Sequence, residues 1–305
     1  MNETVRRLTE QLLDSYARIG GINHVDGKNL PSKRAIAAIT RDLLRLLFPG
    51  FFDETLLHAA ELPAKTAELL ASVAGRLEAE IRKSLEAGAL AQAERPALAE
   101  QARTITREFL GELPVVRTLL ATDVEAAWQG DPAAASPDEV IVAYPCVEAI
   151  AVQRLAHRLY LRGVPLIPRI MTEWAHGRTG MDFHPGARIG SHFFVDHGTG
   201  TVIGETTEIG SHVRLYQGVG LVARSLSGGQ ALRGKKRHPT IEDHVTIYAG
   251  ATIMGGDTVV GAGSTIGANV FLTHSVPPNS LVLSGEAEVK ILSKTNRSGT
   301  PDYQI

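Results

Sequence analysis

The chain has 305 residues, a hydrophobic fraction of 44%, a charged fraction of 21% and a formal net charge of −2 at pH 7. That length accommodates two domains with proper cores, and so small a charge gives no basis for nucleic-acid or membrane-surface binding. A single cysteine, Cys146, excludes an internal disulfide and a cysteine-based zinc site, as suits a reducing compartment.

The chain opens on "MNETVRRLTEQLLDSYARIG", which lacks the apolar core of a signal peptide. No uninterrupted apolar run reaches the roughly 18 residues a membrane span needs, so a soluble, cytoplasmic protein is expected. Composition changes near residue 165: nine of the 30 glycines lie before it, and nineteen lie between Gly177 and Gly267. The first part is rich in the helix formers Ala, Leu, Glu and Arg. Apolar residues recur there at helical spacing in "AIAAITRDLLRLLF" (35–48) and "PVVRTLLATDVEAAW" (114–128). In "SPDEVIVAYPCVEAIAVQRLAHRLYLRG" (136–163), Ser136 is placed to cap a helix, Pro137 suits its first position and Glu139 completes a capping box. Pro145 then breaks or restarts that helix. With breaks at "PGFF", "GELP" and "GDP", about six to eight helices are expected over residues 1–165.

The second part follows another rule. Aliphatic or aromatic residues fall at Phe183, Ile189, Val195, Ile203, Ile209, Leu215 and Leu221, and resume at Ile241, Ile247, Ile253, Val260, Ile266 and Leu272. The interval is six, with two extra residues between Val195 and Ile203 and one between Ile253 and Val260. Such a period belongs to a hexapeptide-repeat parallel β-helix, in which three short strands make one triangular coil. The expected fold is therefore α+β in two domains, all-helical and then a β-helix over 166–285, left-handed by resemblance to known hexapeptide proteins. "VARSLSGGQALRGKKRHPT" (222–240) interrupts the repeat with five basic residues and no acid. It is either a solvated loop or a flap over an anionic ligand.

His184, His192 and His197 crowd the first repeats, with Asp182 and Asp196 beside them. Histidines from neighbouring coils can hold zinc, as in the hexapeptide-type carbonic anhydrases. A neutral histidine steadied by a carboxylate instead suits removal of a hydroxyl proton during acyl transfer. Asp182 and His197 are fifteen residues apart, a little under one coil. His192 and His212 both follow "IGS" and read as corner residues, as does His244, whereas the role of His184 stays open.

"MDFHPGARIG", "VDHGTGTVIGET", "YQGV" and "RHPTI" resemble serine O-acetyltransferase, and "TDVEAAWQGDPAA", "YPCVEAIAVQRLAHRLY" and "GVPLIPRIMTEWAH" resemble the helical part of its longer bacterial branch. The resemblance spans about residues 110–280. It implies acetyl transfer from acetyl-CoA to L-serine, without a metal, at the start of cysteine biosynthesis. It also implies His197 as general base, Asp182 as its carboxylate partner, Asp196 and Asp131 as serine contacts, and Arg237 and His238 as binders of the serine carboxylate. Ala249 and Ala268 match the residues that line the CoA groove. A homotrimer or a dimer of trimers is implied. So is capture of O-acetylserine sulfhydrylase by Ile305, at the end of a flexible tail over 286–305. Gly220 and Val222 depart from the family pattern, which has threonine and glycine there, and "YPC" replaces the usual "YPG". Cys146 reads as a packing residue away from these motifs. The rival readings are an acyltransferase for homoserine or a sugar, a zinc carbonic anhydrase, and a non-enzymatic partner of the sulfhydrylase.

Overall fold

The computed structural model describes residues 2–285 apart from 28, 89–94 and 226. Ile305 and the rest of segment 286–305 lie outside the described residues. Among the described residues eight α-helices come first: α1 (Glu3–Arg18), α2 (Lys33–Leu47), α3 (Leu62–Ala87), α4 (Arg95–Gly111), α5 (Leu113–Gly130), α6 (Pro137–Ala143), α7 (Pro145–Leu161) and α8 (Ile167–Thr179). The amphipathic stripe of 35–48 becomes the buried face of α2, with Ile36, Ile39, Leu43 and Leu47 each at most 2% exposed. The Ser136 hydroxyl accepts from the Glu139 amide, while the Glu139 carboxylate reaches the Ala135 amide rather than that of Ser136. Pro145 does end one helix and start the next, and α6 and α7 meet at 77°. No single described helix is long and apolar enough to cross a membrane.

Among the described residues fourteen short strands follow, all parallel, in three sheets wound as a left-handed β-helix. The first sheet holds β1 (Asp182–Phe183), β4 (Val202–Ile203), β7 (Gly220–Val222), β10 (Thr252–Met254) and β13 (Phe271–Leu272). The second holds β2 (Arg188–Ile189), β5 (Glu208–Ile209), β8 (Thr240–Ile241) and β11 (Val259–Val260). The third holds β3 (Phe194–Val195), β6 (Arg214–Leu215), β9 (Thr246–Ile247), β12 (Thr265–Ile266) and β14 (Leu281–Val282). The sixth-residue apolar positions pair in register, Phe183 on Ile203 and Val195 on Leu215. They fill the coil: Ile203, Leu215, Leu221, Ile247, Ile253 and Ile266 are all at most 1% exposed. Burial of this kind contributes about 1.5–3 kcal/mol per side chain.

The corner between the second and third sheets carries His192, His212 and His244, each in the left-handed region with φ of 55–58°. Their rings stack at 4.0 and 4.6 Å between centroids, so the expected corner residues form a ladder along one edge. Gly220 and Val222 lie in β7, paired on both sides, and a Cβ on Gly220 would meet only ordinary contacts from 3.6 Å.

The helical segment is locked to the first coil at a buried ion pair. Arg154 on α7 grips Asp123 on α5 with two hydrogen bonds of 2.6 and 2.7 Å, and the side chains are 4% and 5% exposed. Arg154 also donates to the carbonyls of Ile189 and Gly190, and Asp123 accepts from the Phe193 amide. Every charge-bearing atom there has a partner, which is the condition for burying such a pair.

Candidate functional site

The corner between the third and first sheets has four residues in the upper coils, as in 216–219 and 248–251, but six, 196–201, in the first coil. Those are the two extra residues in the sequence repeat. They carry His197 outward in the left-handed conformation, φ 57°, with its side chain 71% exposed. Its Nδ1 lies 3.5 Å from Asp196 Oδ1, and Asp196 is largely buried. The following glycine, Gly198, is required by its left-handed backbone, φ 75°, and a Cβ there would also press on the end of the Met181 side chain at 2.2 Å.

Asp131 caps the C-terminus of α5 and comes to the same corner. The Gly130 carbonyl beside it accepts from Arg214, whose guanidinium lies over the rings of Phe194 and Tyr216 at 5.0 and 5.4 Å. Asp131 Oδ2 accepts from the Tyr144 hydroxyl at 2.5 Å, and Oδ1 accepts from the Ala133 amide at 2.9 Å. The Tyr144 bond, then the Ala133 amide, hold the Asp131 carboxyl below the usual range, with Arg214 and His197 adding attraction. The same bond pushes the Tyr144 phenol up to about 12. Cys146 packs closer to this corner than its place in the helical half implies. It is 3% exposed, and burial, aided by the Asp196 charge, pushes its thiol up to about 12.

Ala249 and Ala268 sit on this same edge in later coils, linked by the Asn269 amide donating to the Ala249 carbonyl. Asp182 is on β1, at the foot of the first sheet. Its carboxylate is 3.9 Å from Arg169, and among the described residues no hydrogen bond or ion pair joins it to His197.

Arg237 and His238 lie elsewhere, where the loop between β7 and β8 returns to the corner between the first and second sheets. Arg237 pairs with Glu205, which also accepts from the Tyr160 hydroxyl of α7 at 2.8 Å. The other terminal nitrogen of Arg237, Nη1, is buried with no hydrogen-bond partner among the described residues. The Thr206 hydroxyl accepts from the amides of Arg237 and His238, and His238 Nδ1 accepts from the Thr206 amide at 3.1 Å. That bond fixes the neutral tautomer with its proton on Nε2. The ring lies against Gly204, where a Cβ would come within 1.9 Å of it. His184 belongs to this corner too: its Nδ1 accepts from the Gly186 amide and its ring meets Tyr160 edge-on at 5.9 Å. Burial, then the charge of Arg169, pushes His184 down to about 4, and burial, then Arg237, does the same to His238.

These two histidines bind fewer protons folded than unfolded between about pH 6.5 and 4. Stability is therefore retained above 6.5 and lost as pH falls toward 4. The melting temperature of His184→Asn is expected to fall less steeply with acidification than that of the parent chain. Parallel melting curves from pH 7 to 4 would contradict it.

His184, His192 and His197 occupy three different corners, so one chain cannot gather them around a metal ion. Among the described residues the one cluster of ligand type is Glu173, His176 and Asp182, with candidate atoms within 4.8 Å of one another. Arg169 stands among them, bonded to Glu173 and 3.9 Å from Asp182, so its positive charge opposes a cation at that point. The loop's basic side chains are also partly engaged: Lys236 donates to the Thr206 carbonyl and Arg224 pairs with Asp257. Reasoning from sequence gave no role to Tyr144, Tyr160, Glu205 or Arg214. Glu205 does stand inside the "GET" motif, and Tyr144 and Tyr160 are the two ends of "YPCVEAIAVQRLAHRLY".

No protein-family model matches the chain. It is 44% identical over 277 residues to a plasmid-encoded serine acetyltransferase of Synechococcus elongatus, covering 88% of this chain and 85% of that protein. It is 43% identical over 188 residues to the serine acetyltransferase of Mycobacterium tuberculosis, covering 62% of this chain and 79% of the other. Among solved structures, serine acetyltransferase isoform 3 of Entamoeba histolytica in complex with cysteine matches with a TM-score of 0.72 and 32% identity, over 96% of this chain and 97% of that one. Neisseria gonorrhoeae serine acetyltransferase in complex with serine matches with a TM-score of 0.54 and 27% identity, over 86% and 98%. The chain belongs to the serine acetyltransferase family, and with it to the acyltransferases.

Proposed function

We propose that the chain transfers the acetyl group of acetyl-CoA to the hydroxyl of L-serine, giving O-acetylserine for cysteine biosynthesis. The observation that carries this reading is the meeting of Asp131, Asp196 and an exposed His197 at the corner where the repeat gains two residues. His197 takes the hydroxyl proton while the oxygen attacks the thioester carbonyl. The carbon–sulfur bond then breaks, and the CoA thiolate recovers the proton from the imidazolium. Asp182 holds the imidazole in its useful tautomer, a role that requires its carboxylate to leave Arg169 and reach the ring. Asp131 and Asp196 face the serine ammonium, and Arg237 and His238 take its carboxylate. The acetyl-CoA arm runs along the edge that holds His197, past Ala249 and Ala268, and no metal takes part.

The ammonium side and the carboxylate side sit at different corners of one coil, whereas serine spans only a few ångströms. We read the working site as completed by a second copy, each chain lending one corner to each neighbour in a homotrimer, alone or as a dimer of trimers. The protein is read as cytoplasmic, with the 1–165 and 166–285 division proposed from its sequence. Ile305 at the end of the tail is proposed to engage O-acetylserine sulfhydrylase.

Acetyl-CoA supplied with L-serine, L-homoserine or a sugar should release thiol fastest with serine, and a chelator should leave the rate unchanged. A faster rate with homoserine or the sugar would replace the acceptor, and loss of activity on chelation would favour the zinc reading.

A further inference from the structure

The two sides of the proposed site share one feature that their own residues do not explain. Each is reached by a tyrosine from the same helix. Tyr144 caps the N-terminus of α7 and bonds Asp131; Tyr160 lies near its C-terminus and bonds Glu205, which pairs with Arg237. Sixteen residues separate them, about 24 Å along a helix. Arg154, between them, clamps α7 to the first coil through Asp123 and two backbone carbonyls. One rigid rod thus touches both substrate-facing corners of the chain at a fixed separation.

The contacts are of the orienting kind. A carboxylate free to rotate offers its lone pairs in many directions. Asp131 has one oxygen committed to Tyr144 and the other to the Ala133 amide, so its remaining lone pairs keep one direction. Glu205 is fixed in the same way, with one oxygen on Tyr160 and the other on Arg237. The guanidinium is thereby held against the coil, where Thr206 also pins the backbone amide of Arg237. Neither tyrosine hydroxyl has a second hydrogen-bond partner among the described residues.

We propose that Tyr144 and Tyr160 are positioning residues for the amino-acid substrate. Tyr144 aims Asp131 at the ammonium group, and Tyr160, through Glu205, aims Arg237 at the carboxylate. The inference rests on the serine-binding reading given above and adds to it the second tier that sets the geometry of both ends.

The test uses full-length Tyr144→Phe and Tyr160→Phe, which keep the ring and remove only the hydroxyl. Losing one hydrogen bond to a charged group should raise the KM for L-serine about tenfold in each variant. The KM for acetyl-CoA should stay within about twofold and kcat should change far less than the serine KM. The two effects should multiply in the double variant, because the tyrosines act on separate ends. Amine-only and carboxylate-only analogues assign the ends. Tyr144→Phe should weaken inhibition by ethanolamine and not by 3-hydroxypropanoate, and Tyr160→Phe should do the reverse. A purely structural role predicts instead a lower melting temperature and equal losses for both substrates, and that outcome overturns the proposal. So does an unchanged serine KM in an enzyme whose parent chain is active. A parent chain that releases no thiol with serine would overturn the functional reading itself.

Discussion

Replacing His197 with alanine or asparagine is expected to lower kcat by about two to four orders of magnitude, the usual contribution of a positioned general base. The fold should not notice. The ring is 71% exposed, and among the described residues its nearest polar contact is the 3.5 Å approach of Nδ1 to Asp196. The backbone there is left-handed, φ 57°, a conformation that asparagine accepts more readily than most residues. His197→Asn therefore removes the base while suiting the corner, and its melting temperature should match that of the parent chain. His192→Asn is the control: the same conformation, φ 55°, at a different corner, away from Asp131 and Asp196. Thiol release from acetyl-CoA with serine reads both. A His197 variant within twofold of the parent rate would remove this histidine from the mechanism.

Arg154→Met should be the most damaging single change outside the site, costing about 3–5 kcal/mol because it strands a buried carboxylate. Asp123 would keep only the Phe193 amide, and the carbonyls of Ile189 and Gly190 would lose their donor. The pair joins α5, α7 and the first coil, so its loss should loosen the helical segment from the β-helix. Asp131 and Tyr144, at the far ends of those helices, should then lose their alignment, and the serine KM should rise with the loss of stability. Adding Asp123→Leu should recover much of the stability, since no charge is then left without a partner. Denaturant midpoints measure it. A loss below about 1 kcal/mol for Arg154→Met would mean that the carboxylate finds water or another donor.

Much of the fold is legible without coordinates because the physics that shapes it is local. Inward positions of a hexapeptide coil recur every six residues, and Phe183, Ile203 and Leu221 occupy them as the period requires. Pro145 ends α6 through the hydrogen-bond donor it lacks, wherever the chain goes next. Even the two-residue slip after Val195 has a local cause, since extra residues in a closed coil have nowhere to go except out of a corner. His197 is on that outward loop, so the phase slip and the residue proposed as the base are one event. The extra residue before Val260 takes a different place: β10 runs three residues, Thr252–Met254, and its third residue pairs with Val222 of β7, a lengthening no spacing reveals.

The separation of the site into two corners is the main thing the order of motifs conceals. "DHGTG" and "RHP" follow one another in motif order, yet one lies between the third and first sheets and the other between the first and second. Nor does backbone conformation set the proposed base apart from the other corner histidines: His192, His197, His212 and His244 all have φ of 55–58°.

The sequence by itself determined the repeat, the helical first part, the phase slip and the family, because each depends on residue type at short spacing. Only the tertiary structure decided which carboxylate faces His197, that Asp182 rests beside Arg169, and that Tyr144 and Tyr160 reach the two corners from one helix. The reason is geometric. A side chain acts over a few ångströms, and the contacts of Asp131 with Tyr144 and of Glu205 with Tyr160 bridge 13 and 45 residues of chain. No periodicity specifies a contact of that kind; it exists only once α7 is clamped to the coil.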